Sequence, residues 1–171
     1  MESPIIRWTV SVVACISLFL HGQGLQAQAS ASSKEKDWES TVTRWIESRH
    51  FEFVARQVLP NGGATRILTT DYFLRLKADT LESYLPYFGR VYSTDPSQTN
   101  GDMEFKSLSF DYQIKPGKKG GWEIRIKTKD LTQDSYTLML SAFSDGNASL
   151  QITSIKRDPI SYQGYLRAVG K

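Results

Sequence analysis

From residue 50 onward, apolar and polar side chains alternate with a period of two, and this pattern constrains the fold more than any other feature of the chain. Such alternation is typical of β-strands with one buried and one exposed face. Gly, Pro, Asn and Asp separate the alternating runs, as expected for turns. The runs lie at 51–55, 65–70, 72–77, 108–115, 122–127, 136–142, 150–154 and 159–166. Because no helical pattern interrupts them, consecutive strands are predicted to pair as antiparallel hairpins.

About seven or eight strands are expected, and that many in a flat sheet would leave long exposed edges. The predicted fold class is therefore mainly β (α+β), a strongly curved antiparallel β-sheet or small barrel with meander connections. The clearest hairpin turns at Pro116–Gly121. Pro159 begins the last run, which favours an edge strand because proline lacks a backbone N–H.

One N-terminal amphipathic helix is predicted before the strands, over residues 36–49. Ser32 begins a capping-box pattern ahead of it. Apolar residues then recur at helical spacing, at Trp38, Val42, Trp45 and Ile46. We expect the Trp38 and Trp45 side chains to pack on the sheet, and residues 36–171 to form a single domain.

The first 29 residues have the features of a secretory signal peptide. Arg7 precedes an uncharged apolar run, Trp8–Leu20, and a small-x-small pattern ends at Ala29. We expect cleavage between Ala29 and Ser30, with residues 30–35 as a flexible leader. The apolar run is shorter than the roughly 20 residues that span a bilayer, so no transmembrane span is predicted for the mature chain. The expected location is the periplasm, the outer membrane or the exterior of a Gram-negative bacterium.

Cys15 leaves an alternative open. Val12–Cys15 resembles a bacterial lipobox, in which the cysteine becomes lipidated. A lipobox closes its apolar run, whereas this run continues past Cys15 to Leu20. We therefore favour an unmodified Cys15, and lipidation is the alternative.

The composition excludes several classes of site. Cys15 is the only cysteine, and His50 is the only histidine left after cleavage. The mature chain is therefore predicted to have no disulfide, no thiol nucleophile, no metal site built from several histidines and no cofactor. The net charge of +3 is spread along the chain, which argues against a nucleic-acid partner.

Three segments resemble a known family. They are Tyr84–Tyr92 (YLPYFGRVY), Phe143–Ala148 (FSDGNA) and Arg157–Gly164 (RDPISYQG). Together they resemble the domain of unknown function (DUF) 4251 family of exported envelope proteins of Bacteroidetes, over Trp38–Leu166. The resemblance implies an exported bacterial protein and supplies no activity, cofactor or catalytic residue.

Tyr87, Phe88 and Arg90 are the first candidate site residues. Aromatic residues beside Pro and Gly are costly to leave in a mobile loop, so this segment is either a buried plug or a recognition surface. We expect Phe88 in the core, with Tyr87 and Arg90 partly exposed at the rim. Should Gly89 need a positive φ, its replacement by alanine would be destabilising.

Arg157 and Tyr162 form a second candidate cluster. Arg157 could bind a carboxylate or sulfate through two parallel hydrogen bonds. The alternative is a surface ion pair with Asp158, which would contribute little to stability.

Two further segments have weaker patterns. Asp95–Glu104 contains three acids and an Asn, yet it lacks the spacing of a calcium loop, and nothing in it singles out a catalytic acid pair. A solvated loop is the preferred interpretation. Asp79–Leu81 matches the Asp-Ser/Thr-aliphatic acceptor of O-glycosylation in exported Bacteroidetes proteins, which makes Thr80 a possible glycosylation site.

The predicted function is a non-enzymatic exported binding or interaction module whose partner is an unknown small molecule or envelope protein. The alternative is an inhibitor or partner of an envelope enzyme that uses the Tyr87–Phe88 loop, and a carboxylate-based hydrolase is third. A cavity lined by the curved sheet would favour the first, an exposed Tyr87–Phe88 patch the second, and two facing carboxyls the third.

Overall fold

The computed structural model describes residues 37–92, 102–132 and 134–170. Helix α1 spans residues 37–47. The strands that follow are β1 His50–Pro60, β2 Arg66–Lys77, β3 Thr80–Leu85, β4 Met103–Ser107, β5 Phe110–Pro116, β6 Trp122–Thr128, β7 Tyr136–Ala142, β8 Asn147–Ser154 and β9 Ile160–Arg167. A short 3₁₀ turn at Lys118–Gly120 lies between β5 and β6.

The nine strands form one nearly closed, barrel-like sheet in the order β4-β3-β2-β1-β9-β8-β7-β6-β5. All hydrogen-bonded neighbours are antiparallel. The sheet therefore consists of two meanders, β1–β4 and β5–β9, which the pairing of β1 with β9 joins. The predicted fold class is confirmed, although the strand count of seven or eight is slightly low.

The two edge strands, β4 and β5, follow each other in the chain. Eight successive antiparallel pairings lead from β4 to β5 across the sheet, so these two edge strands run in the same direction. They are therefore two halves of one strongly bent strand. Asp130 holds the bend, since its carboxylate accepts hydrogen bonds from the Ser107 hydroxyl at 2.5 Å and the Leu108 amide at 2.7 Å. The bend leaves a gap beside β4, between that strand and the β6–β7 loop, which we call the seam.

The inside of the barrel is filled with side chains. Alternate residues of the strands point inward, and all nine strands and α1 contribute to one apolar cluster. Phe51, Phe53 and Tyr162 are among its largest fully buried members. The period-two alternation is therefore the direct cause of the core.

Helix α1 covers the end of the barrel where β5 and β7 end. Val42 and Ile46 are fully buried in the core. Trp45 packs partly buried against it, whereas Trp38 is 41% exposed and donates its indole N–H to the Asp145 carbonyl at 2.5 Å. The expected contact of the two tryptophans with the sheet therefore holds for Trp45, while Trp38 lies on the β7–β8 turn.

Some sequence predictions about individual strands were wrong. The runs 65–70 and 72–77 form one strand, β2, and the short strands β3 and β4 were not predicted as strands at all. The last strand, β9, lies between β1 and β8 instead of at an edge. Pro159 is compatible with that position because it precedes the first residue of the strand.

Candidate functional site

The first and third family-like segments meet at the barrel end opposite α1. Residues 90–92 pair with residues 156–158 as short extended chains, with a bridge between Val91 and Arg157. The Tyr92 amide donates to the Lys156 carbonyl at 2.7 Å, and the Asp158 amide donates to the Arg90 carbonyl at 3.1 Å. The structure therefore brings together two segments that are about 65 residues apart in the chain.

Tyr87 connects these two segments. Its hydroxyl donates to the Arg90 carbonyl at 2.7 Å and lies 3.2 Å from the Asp158 carbonyl. The Arg157 guanidinium lies 5.0 Å from the centre of the Tyr87 ring, within cation–π range. Burial, and after it the nearby Asp158 carboxylate, raises the pKa of the Tyr87 hydroxyl, so this group remains a hydrogen-bond donor at neutral pH.

Phe88 is half-buried, between the two alternatives of a core residue and a surface residue. Its ring packs against the apolar core, and the Arg66 guanidinium covers the ring at 4.4 Å from its centre. Arg90 is exposed at the rim, more so than the partial exposure that was expected, whereas Tyr87 is partly exposed as expected. Gly89 has no positive φ. A Cβ at Gly89 would lie 2.7 Å from Cζ of Tyr87, and even closer to its hydroxyl, so the glycine makes room for the tyrosine.

Tyr162 is fully buried and supports the segment from below. Its hydroxyl donates to the Pro86 carbonyl at 2.8 Å. Burial raises the pKa of Tyr162 above the ordinary value for tyrosine. Tyr162 is thus a structural support of the candidate site and not a surface that a ligand could reach.

Gly164, which ends the third family-like segment, is required by the β1–β9 pairing. A Cβ at this position would collide with the Val54 carbonyl oxygen and would lie 2.9 Å from the carbonyl carbon. The pairing of β1 with both neighbours shifts register between Ala55 and Gln57, next to Gly164. This glycine therefore serves the closure of the barrel.

A cavity of about 470 Å³ opens at the seam, beside the Tyr87–Arg157 contact. β4, the β6–β7 loop and the β8–β9 loop each supply part of its wall. The lining residues are Val91, Asp102, Glu104, Phe105, Asp130, Leu131, Thr132, Asp134, Tyr136, Lys156 and Arg157. We call this space the seam cavity.

Two aromatic rings line the seam cavity. Phe105 of β4 stacks on Tyr136 of β7, with ring centres 4.6 Å apart and planes 6° from parallel. Burial, together with the neighbouring Asp134 carboxylate, raises the pKa of Tyr136 to about 12. The stack joins the two sides of the seam, where the described residues form no backbone ladder.

The charged groups of the seam cavity fall into two sets. Asp130 is held at the bend, and its hydrogen bonds from Ser107 and the Leu108 amide lower the pKa of its carboxyl. Asp134 accepts hydrogen bonds from Ser154 at 2.8 and 2.6 Å and lies 4.0 Å from Arg157.

The second set consists of Asp102, Glu104 and Lys156. Within the part of the chain that the structure describes, none of these three side chains makes a hydrogen bond or an ion pair. Two carboxylates therefore stand at β4 and one ammonium group at the β8–β9 loop, all without a protein partner among the described residues.

Another cavity, of about 400 Å³, lies at the β1 bulge on the outer side of β8 and β9. Its charged residue, Arg56, already binds the Tyr165 hydroxyl at 3.0 Å and lies 3.5 Å from Asp71. The seam cavity is the better candidate because three of its charged groups have no protein partner in the described part of the chain.

Three of the five predicted site residues come together here. Tyr87 contacts Arg157, and Tyr162 holds the backbone beneath them, while Phe88 and Arg90 lie on the outer rim. Sequence reasoning missed Phe105 and Tyr136. The alternation of Met103, Phe105 and Ser107 was the signal that could have placed Phe105 on an inward face.

The other predicted sites remain separate from the seam cavity. Thr80 is the half-buried first residue of β3. Ala29, Ser30 and residues 93–101 lie outside the described residues. Among the residues described, no group of three or more His, Cys, Asp or Glu is arranged to hold a metal ion. The described helix is also not long and apolar enough to cross a membrane.

Comparison with known proteins identifies the family. No curated protein matches the chain. A crystal structure of a DUF4251 family protein from Bacteroides eggerthii DSM 20697 resembles the fold with a TM-score of 0.61 and 16% identity, covering 77% of this chain and 87% of that one. Residues 33–166 match the family described as Domain of unknown function (DUF4251). The chain therefore belongs to the DUF4251 family, as its three sequence segments indicated.

Proposed function

We propose that this protein is a non-enzymatic binding module, exported to the envelope of a Gram-negative bacterium, whose ligand occupies the seam cavity. The observation that carries the proposal is the lining of that cavity. A stacked aromatic pair supplies apolar surface. Asp102, Glu104 and Lys156, which have no partner among the described residues, supply charges of both signs. Ligand sites combine apolar or aromatic walls with a few polar groups that fix orientation.

An inhibitor that inserts Tyr87 and Phe88 into a partner enzyme is the second candidate. Guanidinium groups of Arg157 and Arg66 already cover these two rings. Their contact surface is committed within the protein, which supports the binding module over the inhibitor.

A carboxylate-based hydrolase has the least support. Its general acid would need a raised pKa to hold a proton at neutral pH. The pKa of Asp130 is shifted downward instead, and the carboxylate of Asp134 is occupied by Ser154.

The test is a screen of small water-soluble fragments, including the free amino acids, by NMR chemical-shift perturbation. Fragments that bind are expected to shift the signals of Phe105, Tyr136 and Lys156. Thr132→Trp, at an exposed position of the cavity wall, should abolish this binding because it fills the cavity. The matched control, Gln151→Trp, lies on an exposed position away from the seam and should leave it intact.

Fragment binding at other surfaces, or binding that survives Thr132→Trp, would contradict the proposal. Export is tested separately by N-terminal sequencing of the protein recovered from the envelope. A chain that begins near Ser30 is expected, and a lipidated chain that begins at Cys15 would replace the soluble form with an anchored one.

A further inference from the structure

The free edge of β4 gives the seam cavity a second property. In the described residues, β4 is hydrogen-bonded only to β3, on one side. Its other side borders the seam cavity, as the lining positions Asp102, Glu104 and Phe105 indicate. A strand edge of this kind carries unpaired backbone N–H and C=O groups, which can pair with another extended chain.

From this geometry we propose that the ligand of the seam cavity is an extended peptide that adds to β4 as a further strand. This inference rests on the proposed function and names the ligand class of the same site. Strand addition derives affinity from main-chain hydrogen bonds and specificity from the side chains beside the strand. β5 lines no part of the seam cavity, so β4 is the edge at which the peptide binds.

Charge selects the side chain that this peptide carries. Glu104 lies in β4 and Asp102 directly before it, and neither carboxylate has a partner among the described residues, so a basic side chain of the added strand meets them. Lys156 stands on the β8–β9 loop, where its ammonium group repels a second basic residue. The peptide therefore has one basic residue within an otherwise uncharged, β-branched sequence.

The aromatic stack completes the site. Phe105 is half-buried, and its ring stacks on Tyr136 at the base of the free edge. β-branched and aromatic side chains pair well across neighbouring strands. Val or Thr next to the basic residue would lie against this stack, which accounts for the uncharged part of the peptide.

The experiment uses the purified protein and the probe peptide acetyl-Thr-Lys-Val-Thr-amide, observed by isotope-edited NMR. We expect shifts of the β4 amides and nuclear Overhauser contacts between the peptide and residues 103–106. A peptide with Glu in place of Lys should bind about threefold to fivefold more weakly, as expected for one exposed charge contact. A peptide that is N-methylated at two alternate amides should bind about tenfold more weakly, because it loses main-chain hydrogen bonds.

Protein variants test the charge assignment with opposite signs. Glu104→Gln should weaken binding of the Lys peptide, whereas Lys156→Gln should strengthen it by removing a like charge. Glu123→Gln is the matched control, since Glu123 is exposed on β6 and away from the seam, and it should leave binding unchanged.

Equal binding of the N-methylated peptide would overturn strand addition, and contacts away from β4 would do the same. Either result leaves the proposed function in place if small fragments still bind the seam cavity. If neither fragments nor peptides bind there, the proposed function itself fails.

Discussion

At one end of the barrel α1 inserts Val42 and Ile46 into the core, whereas at the other end residues 86–92 cross the opening with few fully buried side chains. The helix end is closed by apolar burial. The opposite end is closed by backbone pairing, by the Tyr87 hydroxyl and by guanidinium groups over aromatic rings. We call these the helix end and the motif end.

This difference is the reason why we place the proposed ligand site at the motif end. Apolar closure works by excluding water and filling space, so it leaves no polar group to contact a ligand. Closure by hydrogen bonds keeps polar groups at the surface. The seam cavity lies at the motif end, where the end of the barrel is closed but side chains leave a cavity.

The largest expected effect tests the helix end. Ile46→Ala removes a fully buried side chain and should lower the free energy of unfolding by about 2–5 kcal/mol, because it leaves a cavity in the core. Urea denaturation followed by circular dichroism measures the change. Glu47→Ala, at an exposed position of the same helix, is the control and should change stability by no more than about 0.5 kcal/mol. A cost for Ile46→Ala close to that of the control would mean that α1 does not close the barrel.

The next effect concerns Phe88 at the motif end. Because its ring is half-buried, Phe88→Ala should cost about 2 kcal/mol, below the 3–5 kcal/mol of a fully buried phenylalanine and above a surface change. The same urea titration measures it. A loss equal to that of Ile46→Ala would remove the distinction between the two ends, and a neutral result would restore the idea that Phe88 is a free recognition surface.

Gly89→Ala should cost about 1–3 kcal/mol, since the added methyl group collides with the Tyr87 ring. The strain comes from a side chain and not from the backbone, because Gly89 has no positive φ. In a Tyr87→Phe background, where the hydroxyl is absent, the cost of Gly89→Ala should therefore be smaller. Gly170→Ala is the control, as a Cβ there meets open space. Equal costs in both backgrounds would show that the Tyr87 hydroxyl is not the obstacle.

The smallest expected effect concerns the ionisation of Tyr136. It does not change stability at neutral pH and is measurable only at alkaline pH. An unfolded tyrosine loses its proton near pH 10, whereas burial holds the pKa of Tyr136 at about 12. Between these values the unfolded state binds fewer protons than the folded one, so the free energy of unfolding must fall as the pH rises. Tyr87 and Tyr162, also at the motif end, have raised pKa values, as has Tyr112 beside α1.

Stability of the protein and of Tyr136→Phe, measured by urea denaturation from pH 8 to 12, tests this effect. The decline above pH 10 should be shallower in the variant, and the two curves should run parallel below pH 9. A decline of the same slope in both would mean that Tyr136 ionises freely in the folded state.

The sequence predicted the fold more completely than the site. Alternation in β1, β6 and β7 is regular because one side of each strand faces the filled core, so local pattern and final structure agree. β3 and β4 escaped prediction because they are short and carry polar residues on inward positions, Ser83 and Ser107. The Ser83 hydroxyl donates to the Met103 carbonyl at 2.8 Å, and a local sequence pattern cannot indicate this partner because it lies on another strand.

The site shows the same limit. Tyr87, Arg157 and Tyr162 were singled out by their residue types, and the structure places them together. The seam cavity could not be predicted, since its walls come from β4, the β6–β7 loop and the β8–β9 loop, which are remote from one another in sequence. Phe105 and Tyr136 stack because the barrel-like sheet brings β4 at one edge close to β7 near the other.

The sequence by itself determined the antiparallel β fold, the N-terminal helix and the DUF4251 family, because alternation, helical spacing and short motifs are properties of neighbouring residues. The tertiary structure alone decided that β9 lies at the centre of the sheet. It also decided that, among the described residues, β4 keeps a free edge and two carboxylates beside it have no partner. These features depend on which distant strands meet. Strand pairing is chosen by the packing of the whole core, and no local stretch of residues encodes it.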